Sequence, residues 1–252
     1  MRVSAKTYRR SGIIKIAVLA ALIGILAVAA VSCKWTIGVM KGSGDIVTEE
    51  REVSGFDEIQ FSGVGNLIIE QGDKEALVVE ADDNIIGLIE TEVRGDELHI
   101  GFKRGVNVVP TSKVKFYLTV KELDRIDLSG VGDIDCDEFE TDDLKFHISG
   151  SGDIDFEIIA DSIETNVSGL GDIDLSGEVG FHRVQISGSG KYNAEELRSK
   201  DCEVEISGLG SATVNASDNL DIEINGAGNV YYKGDPHVSQ HISGLGRIKS
   251  LD

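Results

Sequence analysis

The chain has 252 residues, with 24 basic and 44 acidic side chains, 30 glycines, two prolines, eight phenylalanines and one tryptophan. A net charge of −20 argues against nucleic acid and against docking flat on an anionic membrane, and it leaves room for divalent cations. So few aromatics give little sign of an aromatic binding cleft.

Residues 1–32 read as a signal or anchor segment. Arg2, Lys6, Arg9, Arg10 and Lys15 form a basic start without acids, and Ile16–Val31 is an unbroken run of apolar residues and glycine. As a helix that run would span about 24 Å, short of the roughly 30 Å bilayer core. Ala30-Val31-Ser32 places small residues where a signal peptidase cuts. Together with Cys33 it also resembles a bacterial lipobox, with leucine expected where Ala30 stands; the resemblance implies lipidation of Cys33. Three outcomes stay open: a lipoprotein, an uncleaved membrane anchor, and a soluble secreted protein. The segment takes five basic residues with it, so the remainder carries 19 basic against 44 acidic side chains. That balance favours an exported location.

Residues 33–44 read as a tether. Residues 45–122 are strand-rich but irregular: Leu67, Ile69, Leu77, Val79, Leu98, Ile100, Phe116 and Leu118 alternate with polar neighbours. Gly72-Asp73, Gly95-Asp96 and Gly105–Thr111 supply its turns. Asp82–Glu92 reads as a short helix or an irregular loop.

Residues 123–252 are regular. Ser-Gly-x-Gly, with Asn for Ser once, begins at Ser62, Ser129, Ser149, Ser168, Ser187, Ser207, Asn225 and Ser243. A weaker copy is Gly42-Ser43-Gly44-Asp45-Ile46. From Ser129 the spacing is 18–20 residues, the mark of a repeat architecture. Apolar residues hold fixed places on both sides of each turn. Leu128, Ile148, Val167, Ile186, Ile206, Ile224 and Ile242 precede it; Ile134, Ile154, Ile173, Tyr192, Ala212, Val230 and Ile248 follow it. Period-two alternation is strand patterning. One such unit cannot bury its own apolar face, whereas stacked units bury a continuous core. The expected fold is all-β: a right-handed parallel β-helix with coils of about 18–20 residues and an enlarged N-terminal coil between Ser62 and Ser129. An antiparallel meander is the alternative. The glycines serve either positive φ or close approach of the neighbouring coil. The last copy, with Arg247 and Lys249, is expected to cover the open end of the stack.

Phe56-Asp57-Glu58-Ile59, Gly63, Ile68 and Gln71-Gly72-Asp73 form one recognisable pattern. Leu77-Val78-Val79-Glu80-Ala81-Asp82-Asp83-Asn84, Glu90-Thr91-Glu92-Val93 and Leu98 continue it. With the glycine coils that follow, this resembles the putative auto-transporter adhesin family, head GIN domain, over about residues 45–250. The resemblance implies a surface or periplasmic β-solenoid, often on lipoproteins, and supplies no catalytic residues.

Asp133, Asp153 and Asp172 stand four residues after their serines, and Asp135, Asp155 and Asp174 stand six after. Stacked on successive coils, the six could form a calcium platform, since calcium takes carboxylate oxygens. The other reading is turn and solubility roles. No cofactor is implied beyond that possible calcium. His99, His147, His182, His237 and His241 show no zinc-like spacing. Cys136 and Cys202 both face inward on different coils and are expected to stay unbonded. A β-helix polysaccharide lyase or hydrolase would need a basic residue near the acids, and only Lys191 lies close in sequence register. The sequence therefore reads as a non-enzymatic envelope module. Its unknown protein or glycan partner lies at the cell surface, and its contact with the membrane runs through the N-terminal segment. A carbohydrate-active enzyme and a purely structural protein are the alternatives.

Overall fold

The computed structural model describes residues 39–252, which form one compact unit. Cys33 and the apolar run lie outside the described residues. Every expected column of the regular part is realised. Strands β10 (Arg125–Leu128), β11 (Ile134–Ile148), β12 (Ile154–Val167), β13 (Leu170–Ile186), β14 (Ser189–Ile206) and β15 (Ser211–Ile224) pair in parallel, each with the next. Strands β16 (Asn229–Lys233), β17 (His237–Ile242) and β18 (Arg247–Ser250) complete the stack. The register joins Leu128 to Ile148, Ile148 to Val167, Val167 to Ile186, and Ile186 to Ile206. The antiparallel meander is therefore not the fold.

Coil length varies while the flanking ladders keep their register, because surplus residues are expelled as bulges; the widest, between Asn193 and Arg198, interrupts the pairing of β14 with β15. The 20-residue coil from Ser129 loses its surplus between Cys136 and Phe139, and the 20-residue coil from Ser187 near Glu195. The inward columns on either side remain in phase, and Leu128, Ile186, Ile206, Ile134 and Ala212 are all buried.

The irregular part supplies the enlarged coil and caps one end. Strand β3 (Glu58–Phe61) pairs in parallel with β10, and β4 (Asn66–Gln71) with β11, so the Ser62 coil joins the stack as the repeat demands. The intervening chain passes beneath that coil. Strands β7 (Glu97–Phe102) and β9 (Lys115–Val120) pair in parallel with β3 and β4 from the other side. Arg125 clamps three levels together, with Glu58 and Glu97 at 2.5 and 3.0 Å. Two antiparallel edges then close this end: β6 (Ile89–Arg94) on β7, and β5 (Ala76–Asp82) on β9 with β2 (Ile46–Arg51) outside it. Antiparallel cover removes unpaired parallel edges.

Several local expectations need correction. The stretch Asp82–Glu92 is neither all helix nor all loop: α1 (Asp83–Ile86) is followed by β6. The end of the tether is a strand, β1 (Val39–Lys41), paired with β8 (Asn107–Val109). The weak copy at Gly42–Ile46 does not join the row of turns. It lodges against the buried Asp82 instead, where Gly44 N–H donates to the carboxylate at 2.8 Å. The basic last copy is no cover: β17 and β18 are themselves the terminal coil, and Ile242 on it is 42% exposed.

Candidate functional site

The turns form one continuous edge of the solenoid, and their glycines are there for contact. A Cβ on Gly150 would lie 2.1 Å from the Gly130 carbonyl oxygen, and one on Gly169 would lie 2.1 Å from that of Gly150. None of the first glycines of the repeat has positive φ. Close approach is thus the reason for the first glycine, whereas among the second glycines Gly65, Gly152 and Gly171 combine close approach with positive φ. Close approach lets the ladder run through the corner: Ser149 N–H and Gly150 N–H both donate to the Leu128 carbonyl, and Ser151 N–H donates to that of Gly130.

With both glycines pressed onto the neighbouring coil, the residue between them is pushed outward. This column reads Val64, Val131, Ser151, Leu170, Ser189, Leu209, Ala227 and Leu245. Bridges join Val64 to Val131, Val131 to Ser151 and Ser151 to Leu170, and Leu170 pairs with Ser189. Its large members are solvent-facing, from 40% at Val64 to 88% at Leu245. From Val131 onward a branched aliphatic side chain alternates with a small one. Sequence reasoning overlooked this column because it aligned the fixed positions of the repeat and left the variable one blank.

At the N-terminal end the edge opens into a groove of about 540 Å³, lined by Val64, Val131, Pro110, Val114, Lys113 and Asp133 among others. Asp82 holds its outer wall. Its carboxylate accepts from Thr111 N–H at 3.0 Å and from the Thr111 hydroxyl. The Thr111 hydroxyl bond leads the causes that hold Asp82 below the usual carboxylate range.

Beside the exposed column run the carboxylates singled out from the sequence. Asp153 accepts from the Asp172 N–H at 3.0 Å, and Asp172 from the Lys191 N–H at 3.1 Å. Asp133 accepts from the Asp153 N–H and from Lys113 Nζ at 2.8 Å. These three cap backbone groups of the next coil. Lys113 was not foreseen near them, and the inserted coil brings it there. Asp135, Asp155 and Asp174 stack in register as a second column, with Asp174 accepting from Asn193 Nδ2 at 2.6 Å. Burial, then the charges of Asp133 and Asp155, push the Asp135 carboxyl up. Among the described residues no group of three or more acidic, His or Cys side chains is arranged to hold a metal ion.

Inside the stack lies a polar cluster that sequence reasoning left unassigned. His182 Nε2 and the Tyr192 hydroxyl are 2.6 Å apart, Thr165 Oγ1 is 3.4 Å from the same hydroxyl, and Cys202 Sγ is 3.7 Å from His182 Nδ1. All four residues are buried. Cys136 and Cys202 are both free, as expected; burial pushes the Cys136 thiol up to about 12 and Cys202 higher still. His147 and His241 share an outward column, five coils apart, and His99 joins it at the capped end.

The described residues thus form a capped parallel β-solenoid with an exposed aliphatic edge. The chain belongs to the family described as "putative auto-transporter adhesin, head GIN domain", whose model matches residues 55–236. It is similar to the crystal structure of a putative adhesin from Bacteroides fragilis, at 28% identity and TM-score 0.81, over 84% of this chain and 100% of that one. A putative lipid binding protein from Parabacteroides distasonis matches at 27% identity and TM-score 0.70, over 85% of this chain and 100% of that one. A putative adhesin from the same species matches at 26% identity and TM-score 0.66, over 84% and 100%. Among the curated proteins none matches the chain. Among the described residues no helix is long and apolar enough to cross a membrane.

Proposed function

We propose that the chain is an exported, non-enzymatic adhesive module of the cell envelope. Residues 1–32 direct export and are removed, a lipidated Cys33 holds the chain at the membrane, and the turn edge binds a protein partner. The observation that carries this reading is the row of exposed aliphatic side chains, Val64 through Leu245, on an otherwise acidic rod. Contiguous exposed apolar surface on a soluble domain marks an interaction site. The row contains no aromatic ring, which favours a protein surface over a glycan. The family's name and those of two of the three solved relatives agree with adhesion, while the third is named a putative lipid binding protein.

The calcium platform of six carboxylates is narrowed in this proposal to Asp135, Asp155 and Asp174, because Asp133, Asp153 and Asp172 cap backbone N–H groups; a cation would have to draw the three together from the arrangement seen. The test of the main reading is an adhesion assay on cells that carry the chain and cells that lack it, with Leu170→Ser and Leu209→Ser variants alongside. Loss of attachment in both variants is expected. Attachment independent of the chain would overturn the reading. So would release of reducing ends or unsaturated products from a panel of acidic polysaccharides. Cys33→Ser should abolish lipid labelling and leave unprocessed precursor; an unmodified Cys33 in the wild type removes the anchoring part alone.

A further inference from the structure

We infer that the partner of the turn edge is a second copy of this chain, packed against it antiparallel about a twofold axis. The inference rests on the reading of that edge as the binding surface and names its occupant.

The first argument is shape. Knobs Val131, Leu170, Leu209 and Leu245 alternate with the gaps at Ser151, Ser189 and Ala227. Coils stack about 4.8 Å apart, so knobs recur about every 9.6 Å. A twofold axis along the rods would set each coil against itself, knob on knob. A twofold axis across the rods, between the coils of Leu170 and Ser189, reverses the order. Leu170 then faces the partner's Ser189, Ser151 faces the partner's Leu209, and Val131 faces the partner's Ala227. Every knob from Val131 to Leu209 meets a gap, and the eight coils overlap fully.

The ends fit under the same operation. Leu245, 88% exposed, comes opposite the partner's Val64. Val64 and Val131 line the apolar groove of about 540 Å³ walled by Pro110 and Val114. Each copy therefore offers both a projecting leucine and a place to put it, as an isologous interface requires.

The third argument is charge. The column flanking the knobs reads Asn66, Asp133, Asp153, Asp172, Lys191, Ser211, Asn229 and Arg247, acidic in one half and basic in the other. Across the proposed axis this column faces itself in reverse. Asp172 meets the partner's Lys191 twice over. Asp153 meets the partner's Ser211, and Asp133 the partner's Asn229. No like charges meet.

The row is about 34 Å long, and a contact strip roughly 15 Å wide buries about 500 Å² per copy, at the small end of specific interfaces. A weak dimer follows from so small an area, made effective by many copies on facing surfaces.

The test uses residues 39–252, a compact unit matching the extent of complete crystallised relatives. Sedimentation equilibrium at 0.15 M salt should show a concentration-dependent dimer. Ser189→Leu fills the gap opposite the partner's Leu170 and should weaken association by about tenfold or more. Adding Leu170→Ser in the same chain moves the knob into the vacated register and should restore wild-type association. Both positions are solvent-facing, and unchanged melting curves verify the fold. A wild type monomeric at millimolar concentration, or a double variant no better than Ser189→Leu, overturns the inference. If the wild type is monomeric while Leu209→Ser still reduces cell attachment, the adhesive reading stands with another partner. If attachment is also unmoved, both fall.

Discussion

His182 Nε2 and the Tyr192 hydroxyl lie 2.6 Å apart inside the coil stack, both screened from solvent. Burial pushes the His182 imidazole down to about 4 from an ordinary value near 6.5. The unfolded chain therefore binds a proton that the folded chain rejects. Stability is complete above about pH 6.5 and declines as pH falls towards 4, by roughly 3 kcal/mol in all. Denaturant melts between pH 7 and 4 check this. Tyr192→Phe leaves the imidazole without its close partner and should cost about 1–3 kcal/mol at pH 7. A melt of His182→Phe with the same pH dependence as wild type would assign the acid sensitivity elsewhere.

The turn glycines make a sharper prediction. Gly150→Ala places a methyl 2.1 Å from a backbone carbonyl that is itself held in a ladder. Neither side can yield, so destabilisation of at least about 3 kcal/mol is expected. Gly87→Ala is the control. Its φ is −71° and nothing lies within 4 Å of the added Cβ. It should be neutral or stabilise by about 0.5 kcal/mol. Equal effects of the two substitutions in a thermal melt would refute close approach as the reason for the repeat.

Asp82 ties Gly44 to Thr111 and so holds the wall of the groove. Asp82→Ala should speed hydrogen exchange at the Gly44 and Thr111 amides and sensitise residues 103–114 to protease, leaving the coils beyond Ser149 protected. Because the folded carboxyl is held low, its contribution is present above the unfolded carboxylate range and is lost as pH falls through the folded value. Uniform loss of protection across all coils would contradict this local role.

Asp155→Asn removes one of the charges that raise Asp135. It should lower the Asp135 titration, seen by carboxyl NMR, and raise the melting temperature in calcium-free buffer, a gain of about 0.5 kcal/mol. Millimolar calcium should stabilise the wild type beyond sodium chloride of equal ionic strength, and this variant should lose that surplus. Equal shifts from the two salts would assign the effect to screening and remove calcium from the proposal.

The stack was legible because the repeat fixes the same residue types at the same places. Ile148, Val167 and Ile186 announce one inward column, and the structure aligns them residue for residue. The inserted coil was not. Nothing local in Glu97–Phe102 or Lys115–Val120 says that these strands pass beneath Ser62 rather than beyond it, since period-two patterning carries no address. Thus Lys113 was not seen beside Asp133. The buried cluster was hidden for another reason: His182 and Cys202 are neighbours in one column that Ile163 and Leu220 fill on either side. Their polarity makes sense only once Tyr192 reaches His182 from across the coil and His182 in turn meets Cys202. The variable column between the glycines carried its message in alternation along the stack, a direction that reading along the chain does not follow.

One end of the solenoid is sealed by antiparallel strands, and the other presents β17 and β18 with a free backbone edge. Each coil is held by its neighbours, so the last coil is held on one side only. The rod should unravel directionally, with amide protection falling from Ile206 through Ile224 to Ile242. Leu245 sits on that fraying coil. A molecule that grips it would therefore act as a clasp on the loose end, and the exchange rates of the final coil would report its presence before any change in mass is measured.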